Sequence, residues 1–190
     1  MPSPVGHALG GLIVALALGP NQKDIDQHRT RERASLRPFR AVRDFRPYAA
    51  LCIVVACLPD VDFGWGRHNM ETHSLGAAIA AGLVVWAWKK DVRVAAAVTL
   101  AWASHVLFDW LGSDTTPPLG VMALWPVSAD YYFSGAFFFE AISRRYWLDN
   151  FIAHNLWAVA RELMILGPVL LVVTLIRSRA RRRSRRPGTT

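Results

Sequence analysis

The sequence predicts an all-α fold, a polytopic transmembrane helical bundle of about five spans with an interfacial helical or loop cap. Apolar residues make up 53% of the 190 residues, and they are concentrated in blocks rather than spread along the chain. A helix that crosses a bilayer needs such a nearly continuous apolar stretch, since hydrocarbon offers the backbone no hydrogen-bond partners. The basic residues, in contrast, are confined to a few connecting segments.

Five apolar segments are candidates for spanning helices. The last two have the usual length of about 20 residues, whereas the first three are shorter, at about 15 or 16. A short segment can be accommodated where the bilayer thins or where neighbouring helices enclose it. The segments are residues 5–19, 48–63, 74–88, 92–111 and 157–176.

The basic residues indicate which ends of these segments face the cytoplasm. Eight lie in residues 21–47, three in residues 89–93 and seven after Ile176, which together make 18 of the 22 Lys and Arg residues. Five spans put all three groups on one side, and the positive-inside rule makes that side cytoplasmic. We therefore expect an inner-membrane protein with its N-terminus outside, a single membrane domain over residues 1–176 and a basic cytoplasmic tail over residues 177–190.

The net charge of +8 has a simpler explanation than nucleic-acid binding. Most of the positive charge adjoins predicted spans, where it would contact anionic lipid headgroups. We expect membrane lipids as partners and no nucleic acid, and the sequence does not indicate an oligomeric state.

Residues 112–155 separate the fourth and fifth segments and differ from both in composition. They contain Pro117, Pro118 and Pro126 as well as three consecutive Phe residues at 137–139. This mixture favours an interfacial cap or a re-entrant segment over a sixth span. A sixth span would also put the basic tail on the opposite side from the first basic loop.

Histidine and aspartate residues recur at four places that the five-span topology brings to the outer side. They are His7; Asp60 and Asp62; His68 and His73; and His105 and Asp109. The topology rests on the basic residues alone, so this coincidence is independent support for a common site.

These residue types at these spacings are typical of a metal site. His105 and Asp109 are four residues apart and therefore share one face of a helix. Asp60 and Asp62 follow Pro59, which ends a helix, so both carboxylates can reach one cation. Mixed His and carboxylate ligands suit a divalent metal, with zinc as the expected ion and manganese or iron as alternatives, and six or seven ligands suffice for two ions.

Each place also has a simpler interpretation. His7 and His68 could be interfacial or solvated residues, and the two aspartates after Pro59 could cap the following turn. His105 and Asp109 could form only a hydrogen bond. Ionisable groups within a spanning helix, however, cost about 2.5–3.5 kcal/mol each at its centre and usually mark a function.

The order of these elements resembles the membrane-bound metal-dependent hydrolases of the YdjM type. The resemblance rests on His7, Leu58-Pro59-Asp60-Val61-Asp62, His68, Thr72-His73-Ser74, His105 with Asp109, and Trp125-Pro126, which span about two-thirds of the chain. Where that family usually has His-Arg-Gly before Thr-His-Ser, this chain has His68-Asn69-Met70. The His-xxx-Asp helix with upstream His and Asp residues is also similar to the metal site of zinc-dependent phospholipase C enzymes. That similarity implies a helical bundle with two or three metals and a phosphoester substrate.

We therefore expect a membrane-bound metal-dependent hydrolase that cleaves a phosphoester or ester of a lipid-like substrate at the outer interface. The metal would activate water for attack on a phosphorus or carbonyl centre. Asp60 or Asp62 would bridge metals or accept the proton, and His68 would be a further ligand or a general acid. The aromatic residues within 125–139 would hold acyl chains. Further acids on the outer side that could act as a base are Glu71, Asp130 and Glu140.

Two other classes of function stay open. The same residues could form an ion-binding station of a transporter, although the inner halves of the segments are apolar. They could also hold a metal that only locks the helices together in a structural or assembly protein. A closed site without an open coordination position would favour that structural role.

Overall fold

The computed structural model describes residues 1–20, 44–65, 68–115 and 117–185. Within these ranges it contains five α-helices and no named strand, which confirms the predicted all-helical bundle. The helices are α1 (Pro4–Leu18), α2 (Phe45–Cys57), α3 (Leu75–Lys89), α4 (Val92–Leu111) and α5 (Phe151–Arg185). Two 3-10 segments, Leu58–Trp65 and Glu71–His73, lie between α2 and α3.

Three helical stretches of the described chain are long and apolar enough to cross a membrane. They are Phe45–Gly64, Val92–Leu111 and Phe151–Arg182, and α1 and α3 are apolar but shorter. Large apolar side chains such as Leu83 and Val84 in α3 and Leu171 and Ile176 in α5 are exposed. Extended apolar surfaces of this kind require a partner other than water, and a bilayer provides one. The helices thus support a membrane location, whereas the orientation of the termini stays a prediction.

Local sequence signals determine where several helices begin and end. Ser3, Ser74 and Asp91 each accept hydrogen bonds from backbone N–H groups of the turn that follows, and so cap α1, α3 and α4. Helix α2 ends at Cys57 because Pro59 has no N–H to continue it, and the chain goes on as a 3-10 segment.

Two of the predicted segments differ from the helices in extent. The predicted second segment, residues 48–63, is α-helical only to Cys57. The predicted fifth segment, residues 157–176, is part of a longer helix that continues through the Arg-rich residues to Arg185, because arginine has a high helix propensity. Residues 21–43 of the predicted basic loop and residues 186–190 of the predicted tail lie outside the described residues.

The bundle core is built from small side chains. Helix α1 packs against α2, α4 and α5, and α3 packs against α4. Ala15, Cys52, Ala97 and Ala101 are fully buried between these helices. A Cβ atom at Gly11 would lie 2.4 Å from the carbonyl oxygen of Cys52, so only glycine permits this approach of α1 to α2.

The basic end of the bundle is closed by Arg177 of α5. Its guanidinium donates hydrogen bonds to the carbonyl oxygen of Leu16 (2.6 Å) in the last turn of α1 and to that of Pro20 (2.7 Å) just after the helix. It also lies 4.5 Å from the ring centroid of Phe45 at the start of α2. The first residue of the predicted lipid-contacting tail is therefore buried within the fold.

The opposite end is covered by residues 112–150, which contain no named helix or strand among their described residues. Isolated β-bridges join Gly112 to Phe139 and Val121 to Tyr132. The backbone N–H of Leu75 donates to the carbonyl oxygen of Ala123 at 2.9 Å, which ties this segment to the start of α3. The segment is thus a cap on the bundle, as its composition suggests, and it ends where α5 begins.

Candidate metal centre

The seven predicted site residues meet at the capped end of the bundle. We call them the His/Asp cluster, which comprises His7, Asp60, Asp62, His68, His73, His105 and Asp109. The start of α1 supplies one member, the 3-10 segment after α2 two, the residues before α3 two and the end of α4 two. Residues distant in sequence are therefore adjacent in space. His73 Nε2 lies 3.7 Å from Asp60 Oδ1 and 3.4 Å from Asp109 Oδ2, and His7 Nε2 lies 3.4 Å from Asp109 Oδ1.

Three groups of potential ligands overlap within the cluster. They are His7, His105 and Asp109; Asp60, His73 and His105; and Asp62, His68 and His73, with ligand atoms within 4.8 Å of one another in each group. His105 belongs to the first two groups and His73 to the last two. The arrangement therefore offers a row of adjoining positions for cations rather than one isolated position.

The hydrogen bond of His105 determines which of its nitrogens faces the cluster. Its Nδ1 lies 2.7 Å from the carbonyl oxygen of Ala56, which can only accept, so Nδ1 carries a proton and donates. In the neutral ring the lone pair is then on Nε2. That atom lies 3.6 Å from Asp60 Oδ1 and 3.0 Å from Asp109 Oδ2. A backbone carbonyl that orients an imidazole in this way is common behind metal ligands.

Asp62 fixes the orientation of two further rings. Its Oδ1 lies 2.7 Å from His68 Nδ1, and its Oδ2 lies 3.1 Å from His73 Nδ1 and accepts from the Thr72 hydroxyl at 2.7 Å. Because a carboxylate only accepts, each imidazole directs an N–H towards it. The second nitrogen of His73 then points at Asp60, His105 and Asp109.

Several buried polar atoms of the cluster have no hydrogen-bond partner of ordinary geometry among the described residues. They are both ring nitrogens of His7 and both carboxylate oxygens of Asp109. An unsatisfied buried polar group costs about 1–3 kcal/mol, and an unpaired charge costs more. A divalent cation could bind one ring nitrogen of His7, the carboxylate of Asp109 and the Nε2 lone pair of His105, so the donor set fits a metal site.

Within the described part of the chain, the cluster is exposed at Asp60 and His68. His7, His73 and His105 are fully buried, whereas the side chains of Asp60 and His68 are 23% and 18% exposed. Solvent can therefore reach the cluster at Asp60 and His68.

His73 lies outside the spanning helices, and its charge state follows from its neighbours. Burial disfavours the protonated ring, but hydrogen bonds to Asp60 and Asp62 outweigh burial and raise the pKa of His73 to about 9. Without a cation, the ring therefore holds a second proton at neutral pH.

Glu140, Asp130 and His154 have partners outside the His/Asp cluster. Glu140 forms an ion pair with Arg161 at 3.1 Å, and the Ser128 hydroxyl donates to Asp130. His154 Nε2 lies 2.8 Å from the carbonyl oxygen of Ala141. Glu71 accompanies His73 in the second 3-10 segment, but its side chain is in none of the three ligand groups. His28, the remaining histidine of the chain, and Arg67, which directly precedes His68, lie outside the described residues.

Sequence reasoning missed Glu162 of α5. Its buried carboxylate accepts hydrogen bonds from the backbone N–H and the hydroxyl of Ser3, the residue that caps α1. The signal was present in the sequence, because Glu162 is the single acidic residue of the predicted fifth span. Its partner Ser3 precedes His7 by four residues, which is one turn of α1.

Comparison with known proteins gives one family. No curated protein and no solved structure matches the chain significantly, so the similarity to phospholipase C stays a prediction. The family model of the YdjM inner membrane protein matches residues 1–184, which is nearly the whole chain and includes every member of the His/Asp cluster. The chain belongs to the YdjM inner membrane protein family.

Proposed function

We propose that this membrane protein is a metal-dependent hydrolase that cleaves a phosphoester or ester of a lipid-like substrate at the outer membrane interface. The observation that carries the proposal is the convergence of four histidines and three aspartates into three adjoining ligand groups. Such a set has more donors than one structural ion requires, and it is accessible to solvent at Asp60 and His68.

The cluster would hold one or more divalent ions, with zinc as the first candidate and manganese or iron as alternatives. His7, His105 and Asp109 would form the buried group, and Asp60 and His73 would extend it towards the opening. A bound ion would supply Lewis acidity, which lowers the pKa of coordinated water and stabilises negative charge that develops on the substrate.

The carboxylates would then have different tasks. Asp60 lies at the opening, so its free oxygen can accept a proton from water that approaches from that side. Both oxygens of Asp62 already accept hydrogen bonds, which suits it to orient His68 and His73. His68 donates Nδ1–H to Asp62 and is partly exposed, and its Nε2 lies 3.0 Å from Met1 Sδ. This Nε2 would bind a further cation or, in the doubly protonated ring, donate a proton to a leaving group.

The surface beside the opening supports a lipid-like substrate. Leu58, Val61 and Phe63 are exposed and alternate in sequence with the cluster aspartates. An acyl chain could lie on such apolar side chains while an ester group reaches Asp60.

A structural role of the metal is the second candidate, and one observation favours it. His7, His73, His105 and Asp109 are buried, as in a closed site that only joins helices. The exposed edges of Asp60 and His68 favour the hydrolase, because a purely structural site needs no opening.

The test is metal analysis by mass spectrometry of detergent-purified wild type, His105→Ala and Asp109→Ala, together with a screen of phosphodiester, phosphomonoester and carboxylester substrates. Asp130→Asn is the matched control, since Asp130 is exposed and bonds only within its own turn. The proposal expects metal and turnover in the wild type and the control, and the loss of both in the two cluster variants.

Equal metal content in all four proteins would show that the His/Asp cluster is not the metal site. Metal that disappears in the cluster variants, without turnover of any ester by the wild type, would favour the structural role.

A further inference from the structure

A cationic side chain stands at the opening of the His/Asp cluster. The Phe63 ring stacks on His68 with ring centroids 3.5 Å apart, and the guanidinium carbon of Arg144 lies 3.7 Å from the centroid of Phe63. At these distances the two groups must occupy opposite faces of the ring. Arg144 is thus separated from a cluster histidine by one aromatic layer.

Arg144 makes few interactions with the described part of the fold. Only Arg67, Arg144, Arg145 and Arg161 lie outside the three basic segments of the chain. Arg161 is paired with Glu140, whereas Arg144 is exposed and has no acidic partner among the described residues. Stacking on Phe63 occupies one face of its guanidinium and leaves the N–H edges free to bind a ligand.

The backbone that carries Arg144 is held firmly. Ser143 N–H donates to Asn155 Oδ1 at 2.8 Å, and Asn155 Nδ2 donates to the Ser143 carbonyl oxygen at 3.0 Å. His154 Nε2 lies 2.8 Å from the Ala141 carbonyl oxygen, so the first turn of α5 anchors the preceding residues at two points. A guanidinium placed by such an anchor loses less freedom on binding than one on a loose loop.

We propose that Arg144 forms an oxyanion-binding site at the opening of the cluster, and that its ligand is the phosphate of a lipid headgroup. A planar guanidinium can bind two phosphate oxygens at once, which gives both orientation and affinity. The apolar side chains of Leu58 and Val61 beside the opening favour a phosphate that carries an acyl chain over free phosphate. The oxyanion site itself does not depend on the proposed function. Only the further step, that the bound lipid is the substrate of the hydrolase, rests on that function.

The test measures the binding of three probes to zinc-loaded protein in detergent by calorimetry. Hexylphosphonate has a phosphate-like oxyanion on a short chain and no ester bond to cleave, inorganic phosphate lacks the chain, and hexanol lacks the oxyanion. The proteins are wild type, Arg144→Gln and Arg145→Gln, the last being the matched control, since Arg145 is a neighbouring exposed arginine. Thermal unfolding and zinc content of each variant establish that it is folded and loaded.

Arg144→Gln should weaken hexylphosphonate binding at least about tenfold, which is the effect expected for the loss of a charge-assisted hydrogen bond. Arg145→Gln should bind hexylphosphonate like the wild type, and hexanol binding should not depend on either arginine. Equal affinity of wild type and Arg144→Gln for hexylphosphonate would overturn the site. Arg144 would then only stack on Phe63 at the surface. Inorganic phosphate that binds as tightly as hexylphosphonate would overturn the lipid headgroup as the ligand.

The outcome is separable from that of the proposed function. Ester turnover by the wild type is measured on the same preparations. If no ester is cleaved but Arg144-dependent binding persists, the hydrolase fails and the oxyanion site stands. If turnover is observed and Arg144→Gln leaves hexylphosphonate binding unchanged, the hydrolase stands and the oxyanion site fails.

Discussion

The Nε2 atoms of His73 and His105 lie 3.0 Å apart in the His/Asp cluster. The Nδ1 atoms of both rings donate elsewhere, that of His105 to Ala56 and that of His73 towards Asp62. If both rings were neutral, the lone pairs of the two Nε2 atoms would face each other at this distance and repel. Either a proton or a cation must lie between them. In the metal-free protein a proton can do so, because the hydrogen bonds to Asp60 and Asp62 raise the pKa of His73 to about 9.

Zinc binding should therefore release a proton from His73. In the metal-free protein the ring is doubly protonated at pH 7, since its pKa is about 9. Zinc requires the deprotonated nitrogen, so zinc affinity should rise between about pH 7 and pH 9 and then level off. Calorimetric titrations at pH 7 in two buffers with different ionisation enthalpies measure the number of protons released.

The control is the same pair of titrations at about pH 10, above the pKa of His73, where its contribution to proton release should vanish. The folding stability of the metal-free protein depends on pH in the opposite direction from zinc affinity. The raised pKa stabilises the fold fully below the unfolded value of about 6.5, and this contribution is lost as the pH rises through about 9. Zinc uptake at pH 7 without proton release would contradict this charge state.

Asp62→Asn should weaken metal binding without abolishing it. The substituted amide keeps the shape of the side chain but cannot accept from His68, His73 and Thr72 as a carboxylate does. Loss of a group that orients metal ligands typically lowers affinity about 10- to 100-fold. Competition with a fluorescent zinc chelator measures this change, with Asp130→Asn as the unaffected control. An affinity equal to that of the wild type would exclude Asp62 from both the orienting and the ligating role.

The sequence contains enough information to predict the helical bundle and the members of the cluster, and the reason is physical. Apolar blocks predict spans directly, and the alternation of span directions then decides which helix ends share a side. His7 and Asp109 are 102 positions apart, yet both lie at helix ends that the alternation brings together. The individual roles within the cluster depend on side-chain orientation, which spacing does not determine. The orientation of His68 and His73 by Asp62 could therefore not be predicted.

The contacts made by α5 could also not be predicted from the sequence. Its approach to α1 depends on the packing of the whole bundle, so neither the contact of Glu162 with Ser3 nor that of Arg177 with the end of α1 follows from local patterns. The position of Arg144 against Phe63 depends in turn on the irregular cap, whose path no periodicity describes.

Gly11→Ala should destabilise the bundle. The added Cβ would lie 2.4 Å from the Cys52 carbonyl oxygen, which belongs to a rigid helix backbone and cannot move aside alone. Overpacking of this kind costs about 1–3 kcal/mol. Thermal unfolding in detergent measures the loss, and Gly167→Ala in α5 is the matched control, because a Cβ there meets nothing within 4 Å. Equal unfolding temperatures of the two variants would contradict the close packing of α1 on α2.

Glu162→Gln should both destabilise the fold and weaken metal binding by His7. Glu162 accepts from the backbone N–H and the hydroxyl of Ser3, and the same hydroxyl caps α1 through Val5 and Gly6. An amide can replace only one of these acceptor oxygens, so a buried donor loses its partner at a cost of about 1–3 kcal/mol. His7 lies on this first turn and stacks on His105 with centroids 3.7 Å apart, so a displaced turn disturbs the buried ligand group. Thermal unfolding and zinc content measure the two effects.

A double-mutant cycle separates this specific contact from a general loss of packing. Ser3→Ala, Glu162→Gln and the double variant are compared by thermal unfolding and by zinc affinity. If Glu162 acts through Ser3, the double variant should lose less stability than the two single losses combined, with a coupling of about 0.5–3 kcal/mol, since residues in one hydrogen-bond network are not additive. Gly167→Ala combined with Glu162→Gln supplies the additive reference, because nothing contacts the substituted position. Additive losses for Ser3 and Glu162 would show that α5 does not position the start of α1 through this contact.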